Sequence, residues 1–409
     1  MKIALVTENT YCGGLDSFLV TLVEAWPAAA DELVLICNQD HPGLDVIRRR
    51  VSRPLTIIGH DLPLAMRWLI PLGRLPGGRI LAKVLSPLAR YAALAAQIAG
   101  MHRLLARIAP DRVMVVNGGY PGGDSCRAAT IAWNTIRKHR PKAVHNFHNL
   151  AYPPRWWERP MEALVDRWVG RCSAAFIAVS DACARSLPTN RPAASAEAPV
   201  RHVLNGILPP ATTLSSDIRT ELGIAIDAPL ALMLGTYEAR KGHDMLLTAF
   251  SHTVAALPDA RLVICGFGYE HDWQRVRALV RQYGLEGKVH LLGFRDDVPA
   301  LMAAADLLVV ASQTFESFGL TLVEAMAQSV PVLATTVGGV PEVVGNPAEP
   351  DHAGFLAAPH DCEHYAERMT QLLGDATLRQ RLGAQGHARY LRLFTAQRMA
   401  TNYAALIRA

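Results

Sequence analysis

The 409-residue sequence contains no C-x-x-C pair, no run of 18 uncharged apolar residues, no short fixed repeat and no G-x-G-x-x-G. Each absence removes a class of protein. The seven cysteines, at 12, 37, 126, 172, 183, 265 and 362, are odd in number and unpatterned. Such a set argues for reduced thiols in a cytosol and against a disulfide framework or a zinc site. Without a long apolar run, nothing is expected to span a bilayer. The opening "MKIALVTEN" reaches Glu8 after a short apolar run, so it reads as a first strand and not as a signal peptide. The missing glycine fingerprint counts against a nicotinamide or flavin dinucleotide.

What is present describes a folded protein. Half of the residues are apolar and 19% are charged, which is ordinary for a globular chain. The length is too great for one ordinary core and suits two medium domains. Charge is unevenly spread. Residues 41–142 hold 17 Lys/Arg against Asp45, Asp61, Asp111 and Asp124, a local +13 within a chain of net +5. Within this region, "RRRVSRP" (48–54) and residues 64–109 mix cations with Leu, Ile and Trp68. The stretch 48–109 admits two readings: a basic–apolar surface that meets anionic lipid, or helices packed on their own domain with arginines at the edges. Nucleic acid is not expected, because the cations alternate with aliphatics rather than base-stacking aromatics.

Short apolar runs alternate with helix-like segments along the chain. Strands are expected at 2–7, 33–37, 112–117, 143–148 and 174–180, then at 230–235, 261–266, 288–294, 306–312 and 331–336. Continuous apolar strands separated by helices predict parallel sheets covered on both faces. Two such series predict an α/β protein of two Rossmann-like domains, with ligands in a cleft at the carboxyl ends of the strands. "LPTNRPAASAEAP" (187–199) reads as a surface loop.

Several strand-to-helix turns carry glycine. Gly13 and Gly14 precede an amphipathic segment, and "NGGYPGGDSC" (117–126) is a second such turn. Glycine allows close backbone approach, and a helix start offers free N–H groups to an anion. In "LGTYEARKGHD", Arg240 and Lys241 sit at an apparent helix start, where two cations are unfavourable unless an anion joins them. "CGFGYE" (265–270), with Gly266, and "GGVPEVV" (338–344) are further turns. Finally, "FESFGLTLVEAMA" (315–327) places Glu316 eight positions before Glu324, with Gly319 between them. If a helix starts near Gly319, the first acid lies in the preceding loop and the second on the helix. They are not a symmetric acid/base pair.

Taken in order, the E-x7-E of "ESFGLTLVE", the "RKG" turn, "VSDA" (179–182), "LNGI" (204–207), "GGVPE" and the N-terminal Gly-Gly loop resemble the retaining glycosyltransferases of family 4. The resemblance covers nearly the whole chain. It implies a GT-B fold, with an acceptor-binding domain at 1–207, a donor-binding domain at 208–389, and a closing helix at about 390–409 crossing back to the first. It implies that Glu316 faces the donor sugar, that Glu324 binds the ribose, and that Phe318, Gly319 and Leu320 present N–H groups to sugar or phosphate. Arg240 and Lys241 would hold the diphosphate, with Gly266 also on the donor side. His148 of "NFHNL" would contact the sugar, whereas His145 reads as a core or edge residue. Gly13 and Gly14 would close on donor and acceptor. The implied reaction is a front-face displacement in which a phosphate oxygen accepts the acceptor proton. No Asp-x-Asp clamp is present, and neither metal nor cofactor is expected. Three positions depart from the family: Thr236 stands where Arg often follows the glycine of the phosphate turn, Ser329 where glycine is frequent, and Leu208 where an acid follows "NGI".

The sequence therefore leads to a cytoplasmic transferase, docked on the inner membrane face if the lipid reading of 48–109 holds. It would move a sugar from a nucleoside-diphosphate sugar to a glycan or lipid-linked acceptor, in polysaccharide or cell-envelope synthesis. A GT-B epimerase or phosphorylase, and a non-catalytic sugar-nucleotide-binding module, are the alternatives.

Overall fold

Short runs rich in Val, Ile and Leu form the strands of two sheets. In the first these are β1 (Lys2–Thr7), β2 (Glu32–Asn38), β3 (Leu55–His60), β4 (Arg112–Asn117), β5 (Ala143–Phe147), β6 (Ser173–Ala178) and β7 (Val200–His202). The second holds β8 (Leu230–Leu234), β9 (Arg261–Cys265), β10 (Val289–Leu292), β11 (Leu307–Val310), β12 (Val332–Thr335) and β13 (Gly354–Ala357). The inner strands, such as β1, β4, β8 and β11, are buried on both faces. The computed structural model describes residues 1–409 except 12, 64–68, 72–76, 137–140 and 211–215. Cys12 and Trp68 thus lie outside the described residues. The chain divides into two compact units, Met1–Leu204 with Ala396–Ala409, and Asn205–Thr395.

The seven-stranded sheet runs β3-β2-β1-β4-β5-β6-β7 and the six-stranded sheet β10-β9-β8-β11-β12-β13. Every strand pairing is parallel. Both are doubly wound. The strand order reverses between β1 and β4 in one unit and between β8 and β11 in the other, and ligand sites in such sheets lie at the carboxyl ends beside that reversal. Buried residues such as Ile3, Leu5 and Leu35, or Leu262, Leu307 and Leu333, form a separate core in each unit. Each such side chain contributes about 1.5–3 kcal/mol by leaving water.

Several expectations need correction. Strands β3, β7 and β13 were not among those expected. All three are edge strands, β7 and β13 are short, and β3 and β13 carry glycine, so their apolar signal is weak. The stretch 187–199 is not simply a surface loop. The helix Asp181–Asn190 runs through Pro188 into it, and Arg191 is buried and bonded to Glu162 (2.8 Å). Nor is the tail from 390 one element. The helix Ala376–Leu393 ends in the second unit, where Phe394 is buried against Phe318, and the closing helix is Ala396–Arg408. That closing helix belongs to the first unit. Met399, Ala400, Tyr403, Ala404 and Ile407 form its buried stripe, and Asn146 donates to the Tyr403 hydroxyl (2.8 Å). Ser329 takes the left-handed conformation at φ 59°, which explains why glycine suits the position.

Burial holds four histidines neutral. His145 and His148 are pushed down to about 3, and His60 and His243 to about 4. Their unfolded values lie near 6.5, so the unfolded chain binds more protons between pH 6.5 and about 3–4. Stability is then complete above pH 6.5 and falls on acidification, by up to about 1.4 kcal/mol per pH unit for each histidine. Glu8 and Asp166, raised chiefly by burial, act in the opposite sense but are fewer. Denaturant midpoints are expected to fall from pH 7 to pH 5; an unchanged or rising midpoint contradicts this account.

Candidate active site

The second unit gathers its chemistry where β8 and β11 end. After β8 the chain passes Gly235, Thr236 and Tyr237 into a short 3-10 turn, Ala239–Lys241. Gly242 follows at φ 77°, and a Cβ there would lie 1.9 Å from the Ala311 carbonyl oxygen. Only glycine lets the turn pass so close to the end of β11. That passage brings Lys241 Nζ to 2.5 Å from Glu316 Oε2, with both side chains mostly buried. Ser312 Oγ donates to the same carboxylate oxygen at 3.2 Å.

Glu316 is fixed by its backbone as well. Gly338, at φ 55°, lies so close that a Cβ would stand 2.1 Å from the Glu316 carbonyl oxygen, and Gly339 N–H donates to that oxygen at 2.9 Å. The "GGVPE" turn is therefore a clamp on the Glu316 backbone. Thr335 Oγ1 donates to the Ser312 carbonyl and ties β12 to the same loop. Gly319, at φ 90°, precedes the helix Leu320–Ala327. Glu316 thus lies in the loop before the helix and Glu324 on its side, as the sequence pattern predicts. Phe318 is buried against Phe394, which anchors the loop.

Gly266 lies at the end of β9, where a Cβ would stand 1.9 Å from the Gly235 carbonyl oxygen, so the two glycine turns pack backbone to backbone. Arg240 does not join Lys241 at Glu316. It turns to Glu238 at 2.6 Å and is half exposed. Thr236 Oγ1 is buried without a hydrogen-bond partner. Sequence reasoning passed over Ser312, whose position just after β11 and four residues before Glu316 was the available signal. It also passed over Tyr237, a buried post between His243 and Trp273 whose hydroxyl donates to the Ile264 carbonyl.

His148, Gly13 and Gly14 belong to the first unit, again beside a strand reversal. His148 N–H donates to the Asn117 carbonyl at 2.9 Å, and its ring meets Phe18 edge-on at 4.2 Å. Its Nε2 is buried and has no hydrogen-bond partner. With the ring held neutral by burial, that nitrogen is suited to exchange a hydrogen bond with a neutral hydroxyl. Gly13 N–H is already spent on Asp16 Oδ2 at 2.7 Å, and Asp16 in turn lies 3.5 Å from His41 Nε2. The Gly-Gly loop is therefore organised by a buried carboxylate. A cavity of about 390 Å³ opens among Glu8, Asn9, Asn117, the 118–123 turn, Asn149 and Tyr152. Among the described residues no group of three or more His, Cys, Asp or Glu is arranged to hold a metal ion.

Residues 12–208 match the model of Glycosyltransferase Family 4, and residues 215–389 that of Glycosyl transferases group 1. The N-acetyl-alpha-D-glucosaminyl L-malate synthase of Bacillus anthracis is 30% identical over 188 residues, 46% of this chain and 47% of that protein. The lipopolysaccharide core biosynthesis glycosyltransferase LpsE of Rhizobium meliloti is 31% identical over 189 residues, 46% and 52% of the two chains. This chain thus spans about half the length of the curated relatives it matches. Among solved structures, Anabaena HepE in complex with UDP shares the fold at a TM-score of 0.76 and 20% identity, each chain covered in full. A glycosyltransferase of Rickettsia africae shares it at 0.77 and 17%, covering 100% of this chain and 97% of the other. With the two sheets built as described and the family models matching both units, the chain belongs to the GT-B glycosyltransferases of family 4.

Proposed function

We propose that this protein transfers a sugar, with retention of anomeric configuration, from a nucleoside-diphosphate sugar to a glycan or lipid-linked saccharide in envelope or polysaccharide synthesis. The observation that carries this reading is the Lys241–Glu316 contact at the β8/β11 reversal, held by glycines that tolerate no side chain. A departing diphosphate needs positive charge close to it. Lys241 supplies it, the start of the helix at Leu320 adds N–H groups, and Arg240 joins by leaving the exposed Glu238. Glu316 faces the sugar. Phe318 and Gly266 shape the donor pocket, and Glu324 accepts hydrogen bonds from the ribose. On the first unit, His148 Nε2 meets a sugar hydroxyl, and Gly14 with Gly13 lies at the acceptor side. Positive charge from these side chains lets the reaction run without a metal. HepE, solved with UDP, supports the donor class by likeness of fold. The anomeric carbon–phosphate oxygen bond breaks, the acceptor oxygen bonds to that carbon from the same face, and the acceptor proton passes to a phosphate oxygen.

The test is liquid chromatography that separates epimeric sugar nucleotides, coupled to mass spectrometry, of UDP-, GDP- and ADP-sugars incubated with the protein, with and without membrane-extracted acceptors. One donor should be consumed only when acceptor is present, with one sugar mass added to the acceptor. Conversion of donor alone to another sugar nucleotide would move the reading to an epimerase, and no consumption at all to a binding module. Within the same assay, Glu324→Ala is expected to raise the donor KM about 10- to 100-fold with kcat changed little, the cost of lost charged hydrogen bonds. A fall in kcat at constant KM would remove Glu324 from the ribose.

A further inference from the structure

Most of the exposed large apolar side chains described fall in the first unit, in two places. One is the segment before and along the helix Arg159–Cys172. Trp156 is 74% exposed and Trp157 49%, and Met161, Leu164 and Trp168 continue the same exposed stripe at helical spacing. The second place is the amino-terminal half of the long helix Gly78–Ile108, where Ile80, Val84 and Leu88 are 69–73% exposed at steps of four. The carboxyl-terminal half of that helix behaves differently, burying Met101 and Leu105 in its own unit.

Side chains tie the two helices together. Tyr91, just past Leu88, donates to Glu162 Oε1 at 3.2 Å, and Glu162 is the neighbour of Met161. Beneath this contact, Glu162 Oε2 accepts from the buried Arg127 (3.0 Å) and Arg191 (2.8 Å), while Arg90 reaches Asp124 at 3.2 Å. Apart from the half-exposed Glu158 at the start of the shorter helix, the acids around this contact, Asp124, Glu162 and Asp166, are turned inward and matched by guanidinium groups. Cations remain outside: Arg155, Arg159, Arg167 and Arg171 beside the tryptophans, and Arg79 and Lys83 on the long helix, are all exposed. Residues 62–110 contain no Asp or Glu.

From this arrangement we infer that these two helices, both packed on the helix Asp124–Ile136, form a platform that docks on an anionic bilayer interface, with Trp156, Trp157 and Trp168 as its anchors. Indole rings favour the boundary between acyl chains and headgroups, where the apolar ring is buried and the N–H stays wet. Arg155 already stands 5.6 Å from the Trp157 ring centre, an arrangement that suits a phosphate above it. Charge complementarity selects lipid as the occupant. A second copy would oppose arginine to arginine, and among the described residues no helix is long and apolar enough to enter as a span. The lipid surface therefore extends to 152–171, beyond the 48–109 stretch that composition alone singles out. Tyr152 links it to the site, being exposed beside the tryptophans while lining the cavity of Glu8 and Asn117. A lipid-linked acceptor held at the platform would present its headgroup to that cavity. This last step rests on the transferase reading; docking itself does not.

Vesicle flotation of the full chain separates the two. Liposomes of phosphatidylcholine with a quarter phosphatidylglycerol should carry the wild type to the top at low salt, and pure phosphatidylcholine should carry little. Trp156→Ser with Trp157→Ser should lower partitioning about tenfold or more, as should Ile80→Ser with Val84→Ser. All four side chains are exposed, so the thermal midpoint should stay unchanged. Tryptophan emission should shift to the blue on vesicle addition, and lose that shift in the Trp156/Trp157 variant. Failure of the wild type to float, equal flotation of the variants, or a wild-type dimer that the Trp156/Trp157 change renders monomeric would each overturn the proposal. None of these readouts requires turnover, so a loss of the transferase reading would leave them intact.

Discussion

Replacing Glu316 by glutamine is expected to lower sugar transfer by about 10²–10³ while leaving nucleoside-diphosphate affinity within a few-fold of wild type. The substitution keeps the shape of the side chain and removes its charge. In the resting site that charge faces Lys241 Nζ at 2.5 Å and accepts from Ser312 at 3.2 Å. On the proposed reading, a diphosphate that takes Lys241 would release the carboxylate towards the sugar, where positive charge would develop as the bond to phosphate lengthens. Glutamine cannot stabilise that charge. The backbone clamp of Gly338 and Gly339 is untouched, so the fold should persist with the same melting temperature. Transfer at the wild-type rate would dismiss Glu316 from the reaction.

Lys241→Ala should damage both stages: nucleoside-diphosphate affinity down about tenfold, and kcat/KM down about 10²–10³. On the proposed reading, removing the ammonium would cost the contact with the leaving group. It also leaves Glu316 as an uncompensated carboxylate where the diphosphate must enter. The double variant Glu316→Gln, Lys241→Ala should therefore bind nucleoside diphosphate more tightly than Lys241→Ala alone, a non-additivity that reports direct contact between the two. Strict additivity, or unchanged affinity in Lys241→Ala, would assign the phosphate to another cation, with Arg240 the nearest by sequence.

The alternation of apolar runs made the two parallel sheets legible, because strands such as Leu307–Val310 are buried on both faces and admit no polar residue. The separation of Glu316 from Glu324 was equally legible, since Gly319 marks the helix start. What the linear pattern could not show was the strand order. Lys241 and Glu316 meet because β8 and β11, distant in sequence, are neighbours at the reversal point. Their ion pair follows from that adjacency, whereas the turn of Arg240 towards Glu238 is a local contact two residues apart. Ser312 needed no strand order to be found, since it lies four residues before Glu316 and bonds to it locally. The buried Arg127–Glu162–Arg191 cluster was hidden by its composition, because those charges read as solvated until the packing of the helices Asp124–Ile136 and Arg159–Cys172 encloses them. The tryptophans at 156, 157 and 168 were overlooked because aromatic residues are ordinarily assigned to a core, and only exposure distinguishes an anchor.

Calorimetric titration of the full chain with UDP, GDP and ADP, repeated on Glu316→Gln and Lys241→Ala, tests the central claim most directly. The account predicts that one nucleoside diphosphate binds the wild type with one-to-one stoichiometry, that Glu316→Gln keeps this binding, and that Lys241→Ala weakens it about tenfold. No binding of any of the three, or equal binding to the wild type and Lys241→Ala, would contradict the assignment of the β8/β11 site.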